Sequence, residues 1–130
     1  MQIKVETDQA PYPGGAYSQG IVANGFLFTA GQGPADPKTG ASVGSDIATQ
    51  TGQVMRNLEA ILEAHGLSFE NVIKVTAHLQ ELDRDFADFN AAYREFLSEP
   101  FPVRTTVGST LAGILIEIDV VAAIPVSSAA

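Results

Sequence analysis

Apolar positions along the chain recur with the two-residue period of strands in some stretches and the near-four-residue period of helices in others. Residues 2–5 read as a short strand. Residues 8–15 hold Pro11, Pro13, Gly14 and Gly15 and predict a loop. Two apolar runs follow, over 16–23 and 26–31, separated by Asn24-Gly25. This predicts a hairpin, because a type I′ turn needs positive φ at both central positions. Gly31-Gln32-Gly33-Pro34 breaks the second run, and residues 36–40 form a surface turn. Ile47, Thr51, Val54, Leu58, Ile61 and Leu62 then recur at helical spacing. They predict a helix over 46–65, capped by Ser45 and ended at His65-Gly66.

Residues 72–79 alternate and predict a strand. Ile73, Val75, Ala77 and Leu79 share one face, and Lys74, Thr76 and His78 the other. A second helix starts at a cap on Asp83 or Asp85 and buries Phe86, Phe89, Tyr93, Phe96 and Leu97, with Asn90 beside that stripe. Pro100-Phe101-Pro102 leads into a β-branched strand over 103–107, and a short connection at 109–113 leads to a last strand over 114–124. In that strand Ile116, Ile118, Val120 and Ala122 share a face; Glu117, Asp119 and Val121 share the opposite one. The tail from Pro125 to Ala130 is expected to fray. The pattern defines an α+β domain over residues 1–130, with a sheet covered on one face by two helices.

The last strand is apolar on most positions of both faces, which predicts a second cover. Another copy of the chain is the simplest source. The face it would cover is expected to carry Lys74, Thr76, His78, Arg104, Thr106, Glu117 and Asp119. Charges at such an interface need partners or water. The prediction is therefore an oligomer that keeps a small polar pocket.

Charge and composition narrow the partners. Fifteen acidic against seven basic residues leave a net charge of −8, whereas a nucleic-acid binder carries a basic patch. No apolar run spans a bilayer, the first residues do not form a signal peptide, and there is no cysteine. Neither nucleic acid nor membrane is expected as a partner, and a cytoplasmic location is. Two histidines at unrelated positions do not suggest a metal site. His65 suits a helix C-terminus. His78 suits a structural role, although its titration range also permits proton transfer.

Arg104 admits two explanations within an apolar strand. It faces water from an edge strand, or its planar donor fork anchors a carboxylate. On the polar face, Arg104 with Glu117 and Asp119 fits a structural ion-pair network. The preferred reading is a site for a small carboxylate, with Arg104 holding it and Glu117 orienting or deprotonating a water. Gly31 and Gly33 lack the lysine and spacing of a phosphate loop, and instead allow close approach of a backbone N–H to a ligand or a neighbouring chain.

The chain resembles the RidA family, also called YjgF or L-PSP endoribonuclease, the reactive intermediate deaminases. The resemblance rests on residues 15–20 (Gly-Ala-Tyr-Ser-Gln-Gly), 29–34 (Thr-Ala-Gly-Gln-Gly-Pro), 85–93 (Asp-Phe-Ala-Asp-Phe-Asn-Ala-Ala-Tyr), 101–104 (Phe-Pro-Val-Arg) and 116–118 (Ile-Glu-Ile). It implies a chorismate-mutase-like fold and a homotrimer with its sites between subunits. It also implies that the last strand lies inside the sheet instead of pairing as a simple hairpin with 103–108. Arg104 would bind the substrate carboxylate and Glu117 would position the hydrolytic water. Tyr17, the Gly31 backbone and Asn90 match further pocket positions. The implied reaction hydrolyses 2-aminoacrylate, through its imine 2-iminopropionate, to pyruvate and ammonia without a cofactor. A non-catalytic binder of small keto acids is the alternative within the same fold. Ala30 stands where the best-known members have serine and Thr106 where they often have cysteine. The connection before Ile114 is shorter and lacks their leucine-proline element. These departures lie on the pocket wall and rim, so they bear on substrate identity.

Overall fold

The computed structural model describes residues 1–126, so most of the tail expected to fray, residues 127–130, lies outside the described residues. Six strands form one mixed sheet: β1 (Ile3–Val5), β2 (Gly20–Ala23), β3 (Phe26–Thr29), β4 (Val72–Leu79), β5 (Val103–Gly108) and β6 (Ile116–Ala123). Their spatial order is β1-β2-β3-β6-β4-β5. Helices α1 (Ile47–Glu63) and α2 (Leu82–Arg94) complete the α+β fold. The β2–β3 hairpin turns at Asn24 and Gly25, with φ of 53° and 83°, as the type I′ geometry requires. The last strand does not pair with β5. It enters the middle of the sheet, antiparallel to both β3 and β4, while β5 lies at the edge, parallel to β4.

The core lies between the sheet and the helices. Leu58, Ile61 and Leu62 of α1 and Phe89 of α2 are sealed against Leu27, Val75, Ala77, Leu79, Ile116, Ile118, Val120 and Ala122. Each of these side chains except the two alanines contributes about 1.5–3 kcal/mol by leaving water. The opposite face has no cover among the described residues, and Phe28 and Ile73 remain 45% exposed there.

Several local expectations change. The α1 cap is Asp46, whose carboxylate accepts from the Thr49 N–H at 2.8 Å and the Thr49 hydroxyl at 3.0 Å. These bonds hold its pKa below the ordinary aspartate value. Helix α2 begins after Glu81 with no side-chain cap, and Asp83 and Asp85 occupy its first turn, where the helix dipole favours them. Asp85 is buried and held by the adjacent Arg84 through two bonds of 2.8 and 2.9 Å. A bulge shifts the β4–β6 register between Val72 and Lys74, so Val72 faces the core and Ile73 does not. Phe96 and Leu97 lie beyond α2 but still pack on the core, whereas Phe86 is exposed.

Candidate active site in two halves

Register decides where the predicted site residues fall. On β5, Arg104 stands opposite Val75 and Thr106 opposite Ala77. Val75 and Ala77 face the helices, so Arg104 and Thr106 do too. Glu117 stands opposite His78 on the uncovered face. The expectation that Arg104, Thr106 and Glu117 share a face is therefore corrected: the sheet separates the arginine from the glutamate.

The first half is built by β5 and α2. The Arg104 guanidinium donates to Asn90 Oδ1 at 2.7 Å. It lies against Tyr93, Phe89 and Phe86, with its central carbon 4.9, 5.3 and 5.8 Å from the ring centroids. Residues 86, 89, 90 and 93 fall on one side of α2, because helical neighbours three and four apart are adjacent. The rings and the amide thus aim a guanidinium that no carboxylate holds; the ion pairs among the described residues are Lys4–Glu6 and Arg84–Asp85. The Tyr93 hydroxyl and the Thr106 hydroxyl are buried here without hydrogen-bond partners. Burial raises the Tyr93 pKa above the ordinary phenol value, and the nearby Arg104 charge opposes that rise. Asn90, Tyr93, Arg94, Phe101, Pro102 and Arg104 line a cavity of about 310 Å³.

The second half lies where the chain leaves β3. Gln32 and Ile118 exchange backbone hydrogen bonds of 2.8 and 3.1 Å, which lays the glycine loop along β6 beside Glu117. A side chain at Gly31 would place its Cβ 2.7 Å from Glu117 Oε2, so only glycine leaves room for the carboxylate in this position. Ala30 donates its N–H to the Gln19 carbonyl at 2.9 Å. Tyr17 is exposed beside this loop, and its hydroxyl accepts from the Gly14 N–H at 3.2 Å. Tyr17 and Gly31 line one groove with Tyr12, Gln32, Gly33 and Lys38. The structure thus brings together Tyr17, Ala30, Gly31 and Glu117 in one group, and Asn90, Arg104 and Thr106 in another.

Buried polar side chains that periodicity alone does not single out hold both loops of the second half. The Gln19 amide accepts from the Thr7 N–H at 2.7 Å and donates to the Thr7, Ala10 and Pro11 carbonyls. Asn57 of α1 donates to the Gly33 and Ala35 carbonyls at 3.1 and 2.9 Å. A polar residue on the apolar stripe of α1 is the signal, since a buried amide needs fixed partners. On the uncovered face, His78 Nδ1 lies 2.7 Å from the Ser109 hydroxyl, consistent with a structural role. Burial raises the Asp119 pKa, against the opposing charges of His78 and Lys74. Among the described residues no group of three or more His, Asp or Glu side chains is placed to hold a metal ion, and no helix is long and apolar enough to cross a membrane.

Known proteins share this fold and much of the sequence. The profile of the endoribonuclease L-PSP family matches residues 7–124. A RutC family protein of Pyrococcus horikoshii is 48% identical over 124 residues, covering 94% of this chain and 98% of that protein. The 2-iminobutanoate/2-iminopropanoate deaminase of Salmonella typhimurium is 40% identical over 110 residues, covering 82% of this chain and 84% of the enzyme. The crystal structure of Escherichia coli TdcF with bound serine superimposes with a TM-score of 0.88 at 33% identity, covering 95% of this chain and 99% of that one. The chain belongs to the RidA/YjgF family, also described as the endoribonuclease L-PSP family.

Proposed function

We propose that the protein is an imine deaminase, hydrolysing 2-imino acids such as 2-iminopropanoate to 2-keto acids and ammonia in sites completed between chains. The observation that carries this proposal is an aimed Arg104 without a carboxylate partner on one side of the sheet, and Glu117 lying close against Gly31 on the other. No small ligand reaches both within one chain, but a neighbouring copy seated on the uncovered face can bring the halves together. A homotrimer supplies such neighbours, as the family resemblance implies. The activity of the Salmonella relative supports the choice of reaction.

In this site Arg104 grips the substrate carboxylate through two parallel hydrogen bonds, with Asn90 fixing the guanidinium plane. Thr106 and the wall at Ala30 border the ligand. Glu117 takes a proton from water as the water oxygen bonds to the imine carbon, giving a carbinolamine. That proton passes to nitrogen; Glu117 then takes the carbinolamine hydroxyl proton and returns it to nitrogen as the C=O bond forms and the C–N bond breaks, so ammonia leaves a 2-keto acid. Tyr17 closes the pocket over the leaving nitrogen. Position and proton transfer are all that the chemistry asks of the protein, because an imine carbon beside a carboxylate is already electrophilic.

The test generates imines in situ with an amino-acid oxidase and catalase, and uses an amine trap to report the imine that escapes the enzyme. The protein should lower the trapped fraction and speed keto-acid and ammonia release. Rates equal to buffer, with keto acids still bound, would instead establish a binding protein. Gly31→Ala should keep the melting temperature near wild type, since the far end of the Glu117 side chain can yield. Displacing that carboxylate should reduce kcat by roughly a hundredfold, the scale of a 1 Å misplacement. An alanine variant with wild-type kcat would remove Gly31 from the site.

A further inference from the structure

The cavity beside Arg104 has a second cation. Arg94, in the last turn of α2, lines the same space of about 310 Å³. Its guanidinium carbon sits 5.3 Å above the centroid of Phe101, another wall residue, which pins the charge there. The helix dipole accounts for a cation in a last turn. It does not account for two arginines meeting in one cavity of a chain whose net charge is −8. None of the six lining residues is acidic. Neither arginine meets a carboxylate among the described residues. Two like charges around one cavity disfavour each other until an anion enters. The buried Tyr93 hydroxyl, unpartnered, offers a further donor at the same wall.

We infer that the preferred ligands carry two carboxylates: Arg104 takes the carboxylate next to the imine carbon, and Arg94 takes a second one on the side chain. The substrate class is the imines of acidic amino acids, and the product class the dicarboxylic 2-keto acids. This assignment rests on the deaminase proposal for its reaction, but its recognition step stands apart from turnover. Phe101 and Pro102 set the distance between the cations by fixing the chain that joins α2 to β5. Arg94 is solvent-exposed, so its pull on the distal carboxylate is screened by salt.

The experiment compares imines made in situ from aspartate, glutamate, alanine and 2-aminobutyrate, using wild type and the Arg94→Gln and Arg94→Lys variants. Oxaloacetate, 2-oxoglutarate and pyruvate binding is measured in parallel by calorimetry at low and moderate salt. Wild type should favour the dicarboxylic imines by about five- to tenfold in kcat/KM, the scale of one partly exposed charge-assisted bond. Arg94→Gln should bring that ratio close to one, Arg94→Lys should keep part of it, and added salt should shrink it. Equal turnover of both classes by wild type, or a preference that survives Arg94→Gln, overturns the inference and leaves the deaminase proposal standing. If no imine is turned over, yet dicarboxylic keto acids bind more tightly and Arg94→Gln removes the difference, the deaminase proposal falls and the second anion subsite holds.

Discussion

Replacing Arg104 with alanine should lower kcat/KM for imine hydrolysis by two to three orders of magnitude, while the protein still folds. Truncating one member of a hydrogen-bonded charge pair costs about 2–5 kcal/mol, and each 1.4 kcal/mol is tenfold. Two losses combine in this variant. The ligand carboxylate loses its paired donors, and Asn90 Oδ1 loses the bond of 2.7 Å that it accepts. The aromatic rings beneath the guanidinium remain, so the helix packing has little reason to change. Arg104→Lys separates charge from geometry: it restores a cation without the planar fork and should recover only part of the rate. Steady-state kinetics with a melting curve for each variant checks the effect. Wild-type kcat/KM in Arg104→Ala would end the anchor assignment.

Glu117→Gln should reduce kcat by about two to four orders of magnitude, the usual worth of a positioned proton acceptor. Glutamine has nearly the same shape, so it fills the space beside Gly31 that admits no other side chain. Keto-acid affinity should hold or improve, because a neutral amide no longer repels the ligand's anion. The contrast with the first variant is the point: Arg104→Ala weakens binding, whereas Glu117→Gln leaves binding and loses turnover. Calorimetry with pyruvate beside single-turnover rates distinguishes the two. Unchanged turnover in the glutamine variant would move the base elsewhere.

Much of the fold is legible in local patterns. The hairpin follows from Asn24-Gly25, both of which adopt the positive φ expected of them. The helices follow from the spacing of Val54, Leu58, Ile61 and Phe89. The facing of Arg104 is not legible in this way. Residues 103–107 read Val-Arg-Thr-Thr-Val, so alternation turns Val103 and Val107 inward and Arg104 away from the helices, the reverse of the observed facing. Only the parallel register with β4 settles it, and register depends on a partner distant in the chain. Ile73 fails for a related reason: a bulge inserts one residue and reverses the parity of everything before it. The caps differ because Ser45 and Asp46 are both capable, and the choice falls to whichever side chain reaches Thr49. The candidate site residues are named through the family resemblance. Their division into two groups is not, since sequence similarity names positions without saying which sides of a sheet they occupy.

That division has an arithmetic outcome. If the arginine half of each chain meets the glutamate half of the next around a closed ring, every site draws on two chains. Arg104→Ala chains and Glu117→Gln chains should each be nearly inactive alone. Unfolded together and refolded as mixed rings, they should regain activity, because wherever a chain with its arginine is followed by one with its glutamate the junction is whole. Every mixed ring contains such a junction, whichever chain is in the majority. A double variant carrying both changes on one chain should poison wild-type rings at two junctions at once. Defects in this protein would then complement or dominate according to which side of the sheet they fall on.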